Sequence, residues 1–523
     1  MPKNGSYCTK KSNFCINLCI VLGIFLCYYI RIRYKTESAK MLKKQKNINM
    51  TEGSVFKSFI MFTLPLMATN LLQVLYTATD TIVVSLSKEP DAVGAIGTTT
   101  ALINLLINIF IGCSVGAKVT AAVGLGAKDE KAVENTVRTA ITLSTVLGIV
   151  CCIAGICISH PALAAMGNTG RLLVLADRYT KIHFLGVPFI SLTNFCIALI
   201  HAAGDTETPL HVLLFTGFLH VILNLFFVLV CGMSVEGMAL ASTISNAVSA
   251  VLLLVYLVRS EGPCRLNIKR LGIEKRAFLG ILHIGLPAGI QSSLFSLSHM
   301  VIQSSIVAVN NAAVPEGSAF QPVVKGSAAG TSIESFGYTA VNSTAQAAIS
   351  FTGQNVGTGN FKRVVSVRRA CYIAVSVFSV IFAAVMLSFR GSLLALYGVT
   401  SGAPGSLDRI AYDTAVTRML YMFIPYFLLG FMEVGSGVMQ GLGCSVTSST
   451  ITLLGSVAFR ILWIATAFRA FPRLEIVFLS YPISWFLTAA AQYVRSQVIL
   501  KKRMSAAAAN VTAAAPSSAE LQP

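Results

Sequence analysis

The chain has 523 residues, of which 54% are hydrophobic and only 12% charged, about half the charged fraction of a soluble domain. That balance excludes a water-soluble globule, and a mean hydropathy of +0.72 points to apolar runs of roughly 20 residues, each able to cross a ~30 Å hydrocarbon core as a helix. The net charge of +19 sits in short segments between those runs, so it is a topology signal and does not mark nucleic acid as a partner.

The first apolar run, Phe14 to Ile30, is preceded by Lys10 and Lys11 and followed by Arg31, Arg33 and Lys35. It reads as a signal anchor or as a stretch upstream of a start at Met41 or Met50. No small-x-small cleavage site follows it, so a removable signal peptide is not expected. Residues 1–50 therefore stand apart from the body of the chain. Residues 51–258 hold six spans, near 56–86, 92–124, 132–158, 172–202, 209–231 and 236–258. A basic linker, 259–277, leads to six more in 278–500, near 278–310, 331–356, 364–389, 411–440, 447–468 and 473–499. Residues 501–523 are a low-complexity tail rich in Ala and Ser. The expected fold is an all-α polytopic membrane protein of twelve transmembrane helices in two pseudo-symmetric six-helix lobes. Loops on one side carry twelve Lys and Arg, including Lys128, Lys131, Arg259, Arg276, Lys362 and Arg369, against seven on the other. This difference places both ends of the core in the cytoplasm. The thirteen cysteines lie mostly inside apolar runs with no C-x-x-C pair, and read as small buried hydrophobes.

The two sets of six are an internal repeat. Leu64-Pro65 matches Leu286-Pro287, and Tyr76 to Val83 lies over Phe295 to Ile302. Gly126 to Lys131 lies over Gly357 to Lys362, and Ala203 to Thr208 over Leu442 to Thr447. The matches keep one order, and with six spans per copy the halves are parallel repeats about an axis along the membrane normal, with a cavity expected between them. Pro65 and Pro287 each remove an i to i−4 hydrogen bond at the same place and are candidate hinges. Gly112 with Gly116, Gly285 with Gly289, Gly353 with Gly357 and Gly437 with Gly441 are small-xxx-small spacings that let helices approach closely.

Thr51-Glu52-Gly53-Ser54, Leu64-Pro65-Leu66, Leu75-Tyr76, Asp80-Thr81, Gly204-Asp205-Thr206 with Pro209, Gly285-Leu286-Pro287, Gln354-Asn355-Val356-Gly357, Met432-Glu433-Val434 and Gly441-Leu442-Gly443 together resemble the multidrug and toxic compound extrusion (MATE) transporters. The resemblance covers about residues 51–500. It implies an outward-facing V of two lobes in the cell (inner) membrane. It also implies export of small amphipathic organic cations in exchange for protons or sodium, with membrane lipid as surroundings, a monomer, no enzymatic activity and no cofactor beyond the coupling ion.

An ionisable group inside a span is a functional candidate. Asp80 lies roughly 9 Å inside the outer end of the first helix, and Asn224, in the fifth, lies at a similar depth. A carboxylate withdrawn from water can exchange a proton at near-neutral pH or hold sodium together with amide oxygens; it can also simply lock helices together. The resemblance makes Asp80 the coupling carboxylate. Some branches carry a second aspartate where this chain has Val228. Glu433 and Arg460, with His299 at the repeat position of Asp80, form a second polar site, the first two expected as an ion pair. Lys118 is placed to snorkel to the inner surface. Asn70, Gln73, Asn108, Asn194, Gln291, Gln303, Asn342 and Gln346 are candidate cavity-lining residues. No Gly-Lys dipeptide exists for a P-loop and no H-E-x-x-H for a metalloprotease. Gly112-Cys113-Ser114-Val115-Gly116 matches G-x-S-x-G but lies mid-span, where no strand can precede it. The rival reading is a flippase for lipid-linked oligosaccharides, whose polyanionic headgroup would favour more Arg and Lys than the spans hold.

Overall fold

In a computed structural model, residues 48–85, 89, 92–314 and 320–514 are described; the apolar run Phe14–Ile30 and the end of the tail lie outside them. Among the described residues the first lobe comprises α1 (Val55–Ser85), α2 (Ala92–Gly126), α3 (Glu130–Ala165), α4 (Gly170–Ala202), α5 (Glu207–Leu225, continued by a π-helical turn Phe226–Val230) and α6 (Val235–Arg259). The second comprises α7 (Lys275–Ala313), α8 (Pro322–Gly357), α9 (Phe361–Ser388), α10 in two arms (Leu407–Phe423 and Tyr426–Gly441), α11 (Ser445–Phe468) and α12 (Leu474–Ala514). Ten of these are long and apolar enough to cross a membrane, and the arms of α10, bent by 49°, make one further broken span. The remaining helix, α8, has 36 residues, which is ample length, but its sequence is rich in Ser, Thr and Gly and most of it is buried inside the protein. Most of its polar side chains are enclosed by other helices, and the exposed hydroxyls of Thr331 and Ser335 donate back to carbonyls of the same helix, which is how a helix this polar can sit at membrane depth. α12 runs on to Ala514, through residues expected as tail.

The repeat is visible in the backbone. The turn before α3 puts Lys128 at φ 56° and the turn before α9 puts Gly359 at φ 72°, a left-handed conformation that glycine tolerates best. One residue on, Asp129 accepts from the Ala132 N–H at 2.9 Å and Asn360 from the Arg363 N–H at 3.0 Å, so both helices start on the same kind of cap. Glu274 caps α7 through the Ala277 N–H at 2.7 Å, and that backbone bond holds its carboxyl below the usual range.

The lobes meet at the end carrying the basic linker, the end expected from the charge pattern to be the inner one. A Cβ on Gly112 would lie 2.3 Å from the Gly289 nitrogen, and one on Gly116 2.1 Å from the Ile281 oxygen, so α2 and α7 touch backbone to backbone. Gly357 presses in the same way on Val123 of α2. Three of the four glycine pairs thus form the seam between lobes, while Gly437 and Gly441 pack α10 against α8 within the second lobe. At the linker end of this seam, hydrogen bonds cross from Gln354 to the Ala202 carbonyl at 2.7 Å and from Asn355 to the Met50 carbonyl at 3.0 Å. Arg363, at the start of α9, donates to the carbonyls of Met50, Gly53 and Glu52 at 3.2, 2.9 and 2.7 Å. The inner half of α1 also packs on the second lobe, with Phe59 and Phe62 each 5.6 Å from Phe351.

Candidate functional site

Beyond the seam the lobes part around a cavity of about 720 Å³. Asn70 and Gln73 of α1, Asn108 and Lys118 of α2, and Asn194 and His201 of α4 line it from the first lobe. Gln291 and His299 of α7, Glu334, Asn342 and Gln346 of α8, Glu433 of α10 and Arg460 of α11 line it from the second. Every candidate lining residue except Gln303 therefore faces it. Gln303 lies one turn beyond His299 along α7, past the lining, and is exposed. Amide groups mostly bond within the wall: Asn70 donates to Ser343 at 2.8 Å across the lobes, and Gln346 to Asn342 at 2.9 Å.

Asp80 and Asn224 do not line this cavity; they form a cluster of their own inside the first lobe. The Asn224 amide donates to an Asp80 carboxylate oxygen, and the Asn224 carbonyl oxygen is buried without a partner. His220, four residues before Asn224 and so on the same face of α5, brings its Nε2 to 3.5 Å from Asp80 and 3.1 Å from the Ser242 hydroxyl. The π-helical turn Phe226–Val230 follows directly, a local irregularity often found beside functional groups. The carboxylate and the unpartnered amide oxygen are hard donors of the kind sodium takes, and the carboxylate alone can take a proton. His220 was missed in the sequence, although its i, i+4 spacing to Asn224 was there to be read.

The expected Glu433–Arg460 ion pair is not formed. Arg460 is 1% exposed; its Nε donates to Ser484 at 2.9 Å and its guanidinium lies 4.3 Å from the Tyr481 ring centre. Among the described residues the buried ion pair of this lobe is Arg418 with Glu334, at 2.9 Å, with side chains 6% and 14% exposed. His299 stands 3.5 Å from the Tyr481 hydroxyl, in the same neighbourhood as Arg460. At the repeat position of Asp80, then, the second lobe carries a histidine, with a buried arginine in its neighbourhood. Lys118 does not snorkel either: it is 2% exposed and its Nζ donates across the seam to Gln346 at 2.9 Å. Close packing of α2 on α7 and α8 leaves it no route to the inner surface.

A sequence model of the MatE family matches residues 65–226 and 289–466, more than half of the chain. The chain is 27% identical over 324 residues to "Probable multidrug resistance protein YpnP" of Bacillus subtilis (strain 168), covering 61% of this chain and 69% of that protein. It is 24% identical over 464 residues to "Probable multidrug resistance protein YoeA" of the same strain, covering 87% and 96%. Among solved structures, an outward-facing multidrug resistance MATE family transporter of the MOP superfamily superposes with a TM-score of 0.79 at 19% identity, over 88% of this chain and 99% of that one. At that identity the likeness is one of fold.

Proposed function

Since the chain belongs to the MatE family, the multidrug and toxic compound extrusion transporters, we propose that it is a secondary active antiporter that exports small amphipathic organic cations in exchange for H+ or Na+. The relatives' names as multidrug resistance proteins support the export reading. The observation that carries the coupling is the Asp80–Asn224–His220 cluster, an intramembrane carboxylate held apart from the cavity but on the same helix.

α1 links the two places. Asn70 and Gln73 face the cavity, and Asp80 lies two turns further along. An ion arriving at Asp80 removes a negative charge from the first lobe and changes what Asn224 and His220 donate to. Such a change shifts the balance between conformations only if the ion binds one of them better; a cluster built from α1 and α5 supplies that difference when the helices move relative to each other. Pro65, below the cavity residues on α1, is the place where the helix bends at least cost. With the basic-loop end cytoplasmic, the seam described above closes the inner side and the cavity faces outward. The cavity suits amphipathic cations: aromatic and aliphatic walls accompany the carboxylates of Glu433 and Glu334, and the basic lining residues Lys118 and Arg460 are too few for a polyanionic lipid headgroup.

The test is dye efflux from whole or everted cells with the pH and sodium gradients collapsed separately, comparing wild type with Asp80→Asn at equal membrane expression. Asp80→Asn keeps shape and loses the titratable charge, so the protein should fold and gradient-driven export should fail. Undiminished export by Asp80→Asn would take Asp80 out of the mechanism.

A further inference from the structure

The linker that joins the lobes has no part in the export reading, and it is not a loose tether. Cys264 and Leu266 are buried in the core of the first lobe, and the Leu266 N–H donates to the Leu257 carbonyl at 2.9 Å. Asn267 caps a single 3-10 turn, Ile268–Arg270, through the Lys269 N–H at 3.1 Å. The Glu274 N–H then donates to the Thr139 hydroxyl at 3.0 Å, so the segment is tied to α6 at one end and to α3 at the other.

Its height follows from α3. Arg138 is the last Lys, Arg, Asp or Glu of that helix, which is uncharged by these residues from Thr139 to Ala165. Glu274 meets Thr139, and Arg270 lies 3.5 Å from Glu134, one turn earlier. The linker therefore lies where the charged turns of α3 give way to its apolar length, the level of the headgroups in a bilayer.

At that level three large aliphatic side chains are left outside the protein: Ile268, Leu271 and Ile273, 53%, 47% and 52% exposed. Such a group is unfavourable in water and favourable at a lipid boundary. Arg265, Lys269 and Lys275 stand among them, exposed and, among the described residues, with no carboxylate in ion-pair reach. The turns 126–131 and 357–362, at the same end, carry lysines too, but neither exposes a large apolar side chain. A loop that only sets orientation needs the charge; it has no need of the aliphatic residues.

We propose that residues 265–275 form a docking surface for acidic phospholipid. Ile268, Leu271 and Ile273 enter the boundary of the acyl chains, and Arg265, Lys269 and Lys275 meet the phosphates. The surface is independent of the cargo and of the coupling ion. Because the linker runs directly into α7, whose Ile281 packs on Gly116 of α2, lipid held there steadies the start of α7 against α2.

The full-length protein in detergent is mixed with phosphatidylglycerol and phosphatidylcholine of the same acyl chains. Retained lipids are counted by native mass spectrometry, and melting is followed with each lipid. Wild type should retain phosphatidylglycerol over phosphatidylcholine roughly tenfold and melt higher with it, since each Lys or Arg beside an anionic surface is worth about fivefold in binding. Arg265→Gln with Lys269→Gln should bring the preference to about twofold or less while melting in phosphatidylcholine stays as in wild type. Ile268→Ser with Leu271→Ser should weaken both lipids and leave their ratio. Lys501→Gln with Lys502→Gln, which removes two exposed charges of α12, should keep the full preference. Equal retention of the two lipids by wild type overturns the proposal, as does an equal loss in the α12 variant, which would mean diffuse charge. Displacement of phosphatidylglycerol by millimolar glycerol 3-phosphate, which has no acyl chain, would make the linker a soluble phosphate site and overturn the lipid assignment.

Discussion

Asn224 contributes one amide among several groups around Asp80, so its loss should be graded where the loss of Asp80 is complete. Asn224→Ala removes the donor to the carboxylate and a buried oxygen with no other partner. It should shift the pH or sodium dependence of efflux while leaving measurable export, read from initial rates across a pH series. In the second lobe the two acids should behave oppositely. Glu334 is paired with Arg418 at 2.9 Å, and Glu334→Gln leaves that buried guanidinium uncompensated, a cost of about 3 to 5 kcal/mol for a well-buried pair. Thermal melting in detergent should fall for the single change and recover in Glu334→Gln with Arg418→Met. Glu433→Gln, which breaks no ion pair, should melt close to wild type. The sequence pointed to the wrong partner for a definite reason. Counting residues from a helix end gives the depth of Glu433 and Arg460, which is one coordinate of three; the azimuth around each helix decides contact, and Arg460 turns to Ser484 and Tyr481. Asp80 and Asn224 were matched by depth in the same way and do meet, because α1 and α5 are neighbours in the first lobe.

The helices themselves were legible because apolar runs and small-residue spacings are one-dimensional signals. The glycine seam takes this furthest: Gly112, Gly116, Gly285 and Gly289 announced close packing in the sequence, and the structure adds that they pack on one another across the lobes. A side chain there has nowhere to go. Gly116→Ala would place a carbon 2.1 Å from the Ile281 carbonyl oxygen, and overpacking of this kind costs at least about 1 to 3 kcal/mol. Gly97→Ala in the same helix meets nothing within 4 Å and should gain roughly 0.5 to 1 kcal/mol from the lower entropy of the unfolded chain. Melting temperatures of the pair separate a seam from a general glycine effect. Pro65→Ala restores a hydrogen-bond donor to the interior of α1, so it should hold or raise stability while slowing turnover. What the spans concealed was α8: its first turns, from Pro322, are too mixed in polarity to read as membrane helix, and its burial is a property of the neighbours that cover it.

For the molecule as a whole, the closed inner end depends on a few side chains that reach backbone carbonyls in the other lobe. Arg363 makes three such bonds, to Met50, Gly53 and Glu52, and belongs to the second lobe while its acceptors precede α1. Arg363→Ala should shift the population away from the outward-open arrangement. Spin labels at Met166→Cys and Ser401→Cys, in the outer turns of the two lobes, should then show a shorter distance component that wild type lacks; an unchanged distribution would mean the glycine seam alone sets the closure. The polarity of α8 reaches further, into how the protein is made. A helix of 36 residues that falls short of the apolarity needed to cross a membrane has little tendency to leave the translocon by itself. It must wait for partners, and the Gly353 and Gly357 surface it offers to α2, and the Ala345 and Thr352 surface it offers to α10, identify them: one already synthesised, one still to emerge from the ribosome. In an insertion assay α8 alone should remain on the ribosomal side, and should enter the bilayer efficiently once the chain extends through α10. Assembly of the second lobe is then a late, collective step, and the part of the cavity wall that α8 supplies takes its place only once α10 has emerged.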